Sequence, residues 1–297
     1  MMDQAQNLRN IVKKNTVVKE NEKKSRIITV TSGKGGVGKT SVSINLAIQF
    51  RLQGKSVIIF DADFGLANIE VMFGAIPKYN LSDLIYRGKD LNDIIMKGPM
   101  DIGFISGGSG ISGFGDLTKD QLTYLVYKIK ELESMADIII IDTGAGISSA
   151  VMDFVVASNE VVLVTTPEPT SITDSYSLLK ALNKREDFDR SENHIKIVTN
   201  RVRSYEEGVN LYNKLNVVVS KFLNFNIEFL GIIENDENMS KAVIQQKPIS
   251  MAYPNSKGAK SFKKISDTLL EMKTTDEDEQ KGLAFMLLGR FKRKKVR

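Results

Sequence analysis

The run SGKGGVGKTS near the N-terminus constrains the fold of this chain more than any other feature. Residues 33–40 match G-x-x-x-x-G-K-[ST], after the apolar run 27–30 and before the helix-compatible run 42–50. Between a strand and a helix, such glycines let backbone N–H groups surround phosphate oxygens, and the helix dipole adds to the attraction. We expect Lys39 to reach the β- and γ-phosphates and the Thr40 hydroxyl to bind Mg²⁺. The residues predicted to bind the phosphates are Gly33, Lys34, Gly35, Gly36, Val37, Gly38, Lys39, Thr40 and Ser41.

Short runs rich in Val and Ile recur along the chain, separated by longer amphipathic segments. Near-continuous apolar strands that alternate with helices are typical of a mostly parallel sheet covered on both faces. The sequence therefore predicts an α/β fold with a doubly wound sheet. Such a sheet binds its ligand at the carboxyl ends of the strands. The predicted strands cover residues 27–30, 57–60, 102–105, 138–141, 161–164, 195–198 and 227–232.

Carboxylates follow two of these predicted strands. Asp61 and Asp63 come after the run 57–60, and Asp142 comes after the run 138–141. The period of two places Asp61 and Asp63 on the same side of their strand. Carboxylate oxygens at this edge of the sheet can face a Mg²⁺–phosphate group, so Asp61 and Asp142 are candidate metal ligands.

Composition and charge narrow the function classes. The 297 residues include no cysteine, which excludes disulfides and cysteine-ligated zinc or iron–sulfur centres. The single histidine, His194, has no second histidine with which to bind a metal, so we interpret it as solvated or hydrogen-bonded. The net charge of +5 comes from basic residues at the two ends, and the rest of the chain is acidic, which argues against general nucleic-acid binding. No secretory signal or membrane-spanning run is evident, so we expect a cytoplasmic protein.

The final segment, KGLAFMLLGRFKRKKVR, combines an apolar stripe at helical spacing with a basic cluster. This composition is typical of a helix that lies on an anionic bilayer. One copy would bind weakly, whereas two copies on a dimer would bind through avidity. The alternative is that the apolar residues pack on the protein body. The candidate membrane residues are Leu283, Phe285, Met286, Leu287, Phe291, Lys292, Arg293, Lys294 and Lys295.

Lys34 directly follows Gly33, and the resulting GKGGVGKT resembles the deviant Walker A motif of the MinD/ParA ATPases. The resemblance extends over about residues 26–270 and implies the MinD-like (SIMIBI) P-loop NTPase fold, binding of ATP or ADP with Mg²⁺, and hydrolysis by a homodimer. It further implies that Lys34 reaches the nucleotide of the partner subunit, that Asp63 orients the attacking water and that Asp61 lies near the metal. Asn200 matches the asparagine that binds adenine in that family, although a strand-end asparagine is also compatible with a simple turn.

The N-terminus, D-Q-A-x-x-L-R, resembles a second and narrower family, the MinD-like FlhG (YlxH/FleN) ATPases. That resemblance implies activation of the GTPase FlhF through Gln4, Leu8 and Arg9. It also implies contacts with flagellar basal-body or C-ring components. We therefore predict three parts, which are an activating helix and linker (1–25), an ATPase domain (26–273), and a linker with a membrane-targeting helix (274–297).

The predicted function is an ATP-hydrolysing, ATP-dependent dimerising switch that controls flagellar number and placement. It would associate reversibly with the inner face of the cell membrane in the ATP state. Three alternatives stay open at this point. They are a Min-type division-site ATPase, a ParA-type partitioning ATPase that binds DNA, and an interaction scaffold with a vestigial ATPase, although the intact Lys34, Lys39, Thr40, Asp63 and Asp142 argue against the last.

Overall fold

A computed structural model describes residues 25–63, 68–108, 117–189, 193–272 and Ala284. Within these residues one sheet of eight strands has the order β3-β4-β2-β5-β1-β6-β7-β8. Every neighbouring pair is parallel except β3 and β4, which are antiparallel. The strands are β1 (Arg26–Ser32), β2 (Val57–Ala62), β3 (Met96–Lys97), β4 (Gly103–Ile105), β5 (Ile138–Ala145), β6 (Glu160–Thr165), β7 (His194–Val202) and β8 (Glu228–Glu234).

Helices cover both faces of the sheet, which confirms the predicted doubly wound α/β class. Alternate residues of β5 show the division, because Ile138 and Ile140 pack in one apolar cluster, whereas Ile139 and Ile141 pack in another. The helices are α1 (Lys39–Leu52), α2 (Asn68–Phe73), α3 (Leu81–Tyr86), α4 (Leu91–Ile94), α5 (Lys119–Glu133), α6 (Ser149–Ala157), α7 (Pro169–Asn183), α8 (Tyr205–Leu223), α9 (Glu237–Ile244), α10 (Ile249–Ala252) and α11 (Lys257–Glu271).

Helix α1 is the most buried of the long helices in the described part of the chain. Its residues 42–50 are all buried, because the sheet covers one side and α11 covers another, with Phe262, Ile265 and Leu269 in the same apolar cluster. Deleting a large core side chain typically costs about 2–5 kcal/mol. The helix that follows the phosphate-binding loop is therefore held rigidly against the sheet.

Most predicted strands match observed strands, and the differences lie at their ends. Strands β2 and β5 continue past the apolar runs, so Asp61 and Asp142 lie inside strands. The two-residue strand β3 was not predicted, since two residues carry no alternating pattern. His194 begins β7, and its Nδ1 lies 3.1 Å from Oε1 of Glu228, in agreement with a hydrogen-bonded role.

Both terminal segments fall almost entirely outside the described residues. Gln4, Leu8 and Arg9 lie there, as do all the candidate membrane residues of the final segment. Ala284 is the exception, because it is buried in the apolar cluster that includes α5, and its N–H donates to Oε1 of Glu133 at 3.0 Å. At this residue the final segment packs on the protein body. In the described part of the chain, no helix is both long and apolar enough to span a bilayer.

Candidate nucleotide-binding site

The loop at residues 33–38 connects β1 to α1 at the carboxyl edge of the sheet, and Lys39 and Thr40 lie in the first turn of α1. Helix α1 begins after Gly38 without a side-chain cap, which leaves its first N–H groups available to an anion. Gly33 lies against the backbone of α7, where an added Cβ would meet the Asp174 carbonyl group at 2.2 Å. An uncapped helix start at this edge of the sheet can bind an anion such as a phosphate.

Lys39 extends from the start of α1 into a group of carboxylates. Its side chain is largely buried. Burial lowers the pKa of Lys39, and the negative charges of Asp142 and Asp63 oppose that shift. These carboxylates offset part of the cost of placing an ammonium group in a largely dehydrated position, where it can attract phosphate oxygens.

Asp61 and Asp142 lie directly opposite each other on the neighbouring strands β2 and β5. Both are buried, and in each the Oδ2 atom has no hydrogen-bond partner in the described part of the chain. The hydroxyl of Ser43 donates to Oδ1 of Asp142 at 2.8 Å. Two buried carboxylates with free oxygens fit a hard divalent cation such as Mg²⁺, and Thr40, in the first turn of α1, places its hydroxyl beside Asp142.

Burial also shifts the titration of this pair. It raises the pKa of Asp61 to about 8, with the nearby charge of Asp142 adding to the effect. It raises the pKa of Asp142 to about 6, which the hydroxyls of Thr40 and Ser43 oppose. Without a cation, the structure thus favours a proton on at least one of the two carboxyls.

The raised pKa of Asp61 predicts how the stability of the protein depends on pH when no nucleotide or metal is bound. As pH rises from the unfolded-state pKa near 4 to about 8, the unfolded state releases the Asp61 proton while the folded state retains it, so stability falls. The Asp61→Asn variant should lose less stability than the wild type over that range. At pH 8 its free energy of unfolding should be higher than that of the wild type by at least about 1 kcal/mol, since one pKa unit corresponds to about 1.4 kcal/mol. Urea unfolding at pH 5 and pH 8 tests this, and equal losses in both proteins would contradict it.

Asp63 follows β2 and points toward the same centre from a half-buried position. Its backbone N–H donates to Oδ1 of Asp61 at 3.0 Å, and Nδ2 of Asn68 donates to its Oδ2 at 3.3 Å. Burial raises the pKa of Asp63, whereas the charge of Lys39 lowers it. The structure therefore brings Asp63 together with Asp61, Asp142 and Lys39.

Lys34 behaves differently from the other residues of the loop. Its Nζ contacts Oε2 of Glu168 at 2.6 Å and Oγ1 of Thr170 at 2.8 Å, at the start of α7. The ion pair is partly exposed, and Lys34 lowers the pKa of Glu168. In this single subunit the lysine is thus bound to the rim of its own site.

A pocket of about 610 Å³ continues from the phosphate-binding loop toward β8 and α9. Asn200 lies on its wall, together with residues that sequence reasoning missed. Those residues follow a strand, so the rule that ligands bind at strand ends could have found them. The pocket is lined by Gly38, Ser41, Asn200, Arg201, Glu234, Asn235, Asp236, Met239, Ser240, Val243 and Ile244.

The fold and this site define a P-loop ATPase class. Residues 28–249 match the sequence model of the CobQ/CobB/MinD/ParA nucleotide-binding domain. The structure superposes on that of the septum site-determining protein MinD complexed with Mg-ADP from Pyrococcus horikoshii OT3, with a TM-score of 0.66 and 26% identity over 83% of this chain and 96% of that chain. The predicted cofactors, ATP or ADP with Mg²⁺, agree with that complex.

Two relatives give a narrower assignment. The chain is 39% identical over 241 residues to the antiactivator FleN of Pseudomonas aeruginosa, covering 81% of this chain and 85% of FleN. It is 34% identical over 258 residues to the flagellum site-determining protein YlxH of Helicobacter pylori, covering 84% of each. This chain therefore belongs to the FlhG (YlxH/FleN) family of MinD-like ATPases.

Proposed function

We propose that this protein is an ATP-dependent molecular switch that regulates the number and placement of flagella. The observation that carries this proposal is the similarity to FleN and YlxH over more than four fifths of the chain. Similarity to MinD of Bacillus subtilis is lower, at 28% identity over 247 residues, which favours the flagellar role over division-site positioning.

Each residue of the centre has a role in the proposed hydrolysis. The N–H groups at the start of α1 and the ammonium of Lys39 bind the phosphates. Mg²⁺ would be held by Thr40, Asp61 and Asp142, and when bound it would neutralise charge on the phosphate oxygens. Asp63 accepts a hydrogen bond from the attacking water and orients it toward the γ-phosphate.

Dimerisation around ATP completes the proposed site. Lys34 leaves Glu168 and Thr170 and approaches the phosphates of the partner subunit. A partly exposed ion pair contributes little to stability, so a triphosphate with several negative charges competes with it effectively. Lys34 lies on the rim beside Glu168 and Thr170, and this location supports the crossing role.

The proposed partner of the N-terminus is the GTPase FlhF, and Gln4 is the residue proposed to act at the partner's active site. A glutamine can orient a hydrolytic water in such a site. We expect Gln4→Ala in the full-length protein to abolish stimulation of GTP hydrolysis by FlhF, whereas the matched variant Gln6→Ala should retain it. Phosphate release by FlhF measures both. If neither variant changes stimulation, Gln4 is not the activating residue.

The proposed membrane contact uses the final helix and requires ATP. We expect the protein to co-sediment with anionic liposomes in ATP but not in ADP, and expect removal of residues 281–297 to abolish binding. Replacing Lys292, Arg293, Lys294 and Lys295 by glutamine should weaken binding about tenfold or more, since each basic residue contributes about 1 kcal/mol near an anionic surface. This second variant retains Ala284 and its contact with Glu133. Binding that is equal in both nucleotides would contradict the switch.

A further inference from the structure

Asn200 makes a contact that base recognition does not explain. Its Nδ2 donates a hydrogen bond to the backbone carbonyl of Val37 at 2.7 Å, although the two residues are 163 positions apart in the chain. Both residues are buried. The contact joins the end of β7 to the centre of the phosphate-binding loop.

The orientation of the Asn200 amide is fixed from its other side. The backbone N–H of Arg201 donates to Oδ1 at 2.8 Å, so Nδ2 must face Val37. Arg201 has a φ of +58°, and the pairing of β7 with β8 shifts register between Asn200 and Val202. A left-handed, non-glycine residue is costly and persists where its surroundings hold it. Here the irregularity directs an N–H group to the amide oxygen.

This contact determines the direction of a donor in the loop. The described residues contain no cis peptide bond, so the Val37 carbonyl and the Gly38 N–H point in opposite directions. Because the carbonyl faces Asn200, the Gly38 N–H faces away from β7, at the start of α1. Gly38 has a φ of +97°, and an added Cβ would lie 2.6 Å from Nδ2 of Asn200. Glycine is therefore required for the amide to approach the loop.

We propose that Asn200 is a positioning residue for the phosphates, acting through the Val37–Gly38 peptide, and not solely a residue that binds the base. The amide retains one N–H and one lone pair for adenine, so the two roles are compatible. The two roles can be distinguished with a ligand that has no base, because only the positioning of the loop affects the binding of such a ligand. The inference rests on the proposed binding of phosphates by residues 33–41, which are the loop and the first turn of α1.

The test compares two ligands, ATP and inorganic tripolyphosphate, each with Mg²⁺, by titration calorimetry. Asn200→Ala leaves the buried Val37 carbonyl without its donor, and we expect it to weaken tripolyphosphate by about 10- to 100-fold and ATP by at least as much. Asn200→Asp preserves an acceptor for the Arg201 N–H but cannot donate to Val37, and its negative charge also opposes an anionic ligand, so its loss should be at least as large. Because Asp is nearly isosteric with Asn, this variant also applies if Asn200→Ala fails to fold.

A control variant separates the loop from the rest of the pocket. Ile244 lines the same pocket but is 83% exposed and lies on α9. Ile244→Ser should leave tripolyphosphate affinity within about twofold of the wild type, since it changes only the pocket wall away from the loop.

Two results would overturn the inference. If Asn200→Ala weakens ATP but leaves tripolyphosphate unchanged, Asn200 acts on the base alone. If both affinities are unchanged, the Val37 contact has no effect on binding. A wild-type protein that binds neither ligand would contradict the phosphate-binding site itself, which is a different failure.

Discussion

Lys34→Ala is expected to reduce ATP turnover by about 10³- to 10⁵-fold and to abolish the ATP-dependent dimer. A cation supplied across an interface to a transferring phosphoryl group has an effect of this size. The variant should still bind ATP as a monomer, because Lys39 and the N–H groups of the loop remain. Phosphate release and light scattering after size exclusion measure the two effects. Unchanged turnover and dimerisation would exclude the crossing role.

A matched variant distinguishes the effect of removing Lys34 from the effect of breaking its ion pair with Glu168. Glu168→Gln removes the charge that contacts Lys34 in the single subunit but leaves the lysine in place. Since a partly exposed ion pair contributes little, we expect this variant to change turnover by only a few-fold. A loss as large as that of Lys34→Ala would mean that Glu168 is itself required in the active dimer.

Asp63→Ala is expected to reduce turnover by about 10²- to 10⁴-fold, the range for loss of a group that positions or activates a reacting water. ATP-dependent dimerisation should be retained, because Asp63 is not among the groups that bind the phosphates. Asp63→Asn should show a similar loss, since an amide preserves the shape but not the basic oxygen. A variant that stays monomeric in ATP would contradict the assigned role.

Mixing the two inactive variants tests the crossing of Lys34 directly. In a mixed dimer, the site of the Lys34→Ala subunit has its own Asp63 and receives Lys34 from the Asp63→Ala subunit, so that site is complete. The Lys34→Ala subunit is expected to dimerise only with a partner that supplies Lys34, so mixed dimers compete with dimers of the Asp63→Ala variant. At most half of the dimers are then mixed, each with one complete site, and turnover should recover to no more than about a quarter of the wild type. If Lys34 instead acts within its own subunit, no mixed site is complete and no activity returns.

Local sequence patterns predicted most of the fold and the chemical centre. A run of apolar residues encodes a buried strand, and a glycine-rich loop between a strand and a helix encodes a phosphate site. Both patterns involve residues that are close together in the sequence, so they can be recognised without a structure. Strand-end carboxylates were likewise predictable, and the structure brings Asp61, Asp63 and Asp142 together with Lys39.

Contacts between distant segments could not be predicted in this way. Asp61 and Asp142 lie opposite each other because β2 and β5 are neighbouring strands. Lys34 and Glu168 are in contact although they are 134 positions apart in the chain. The hydrogen bond from Asn200 to Val37 and the pocket wall formed by α9 also depend on contacts between segments that are distant in the sequence. No local pattern encodes which strands become neighbours, because that order depends on the packing of the whole sheet and its helices.

The sequence by itself therefore determined the class of fold, the phosphate-binding loop and the identity of the charged residues at the strand ends. Only the tertiary structure decided how those charges act on one another. Burial raises the pKa values of Asp61 and Asp142 and lowers the pKa of Lys39, and the nearby carboxylates oppose the shift of Lys39. The physical reason is that the energy of a charge depends on the water removed and the charges brought near, and both are set by residues far away in the chain.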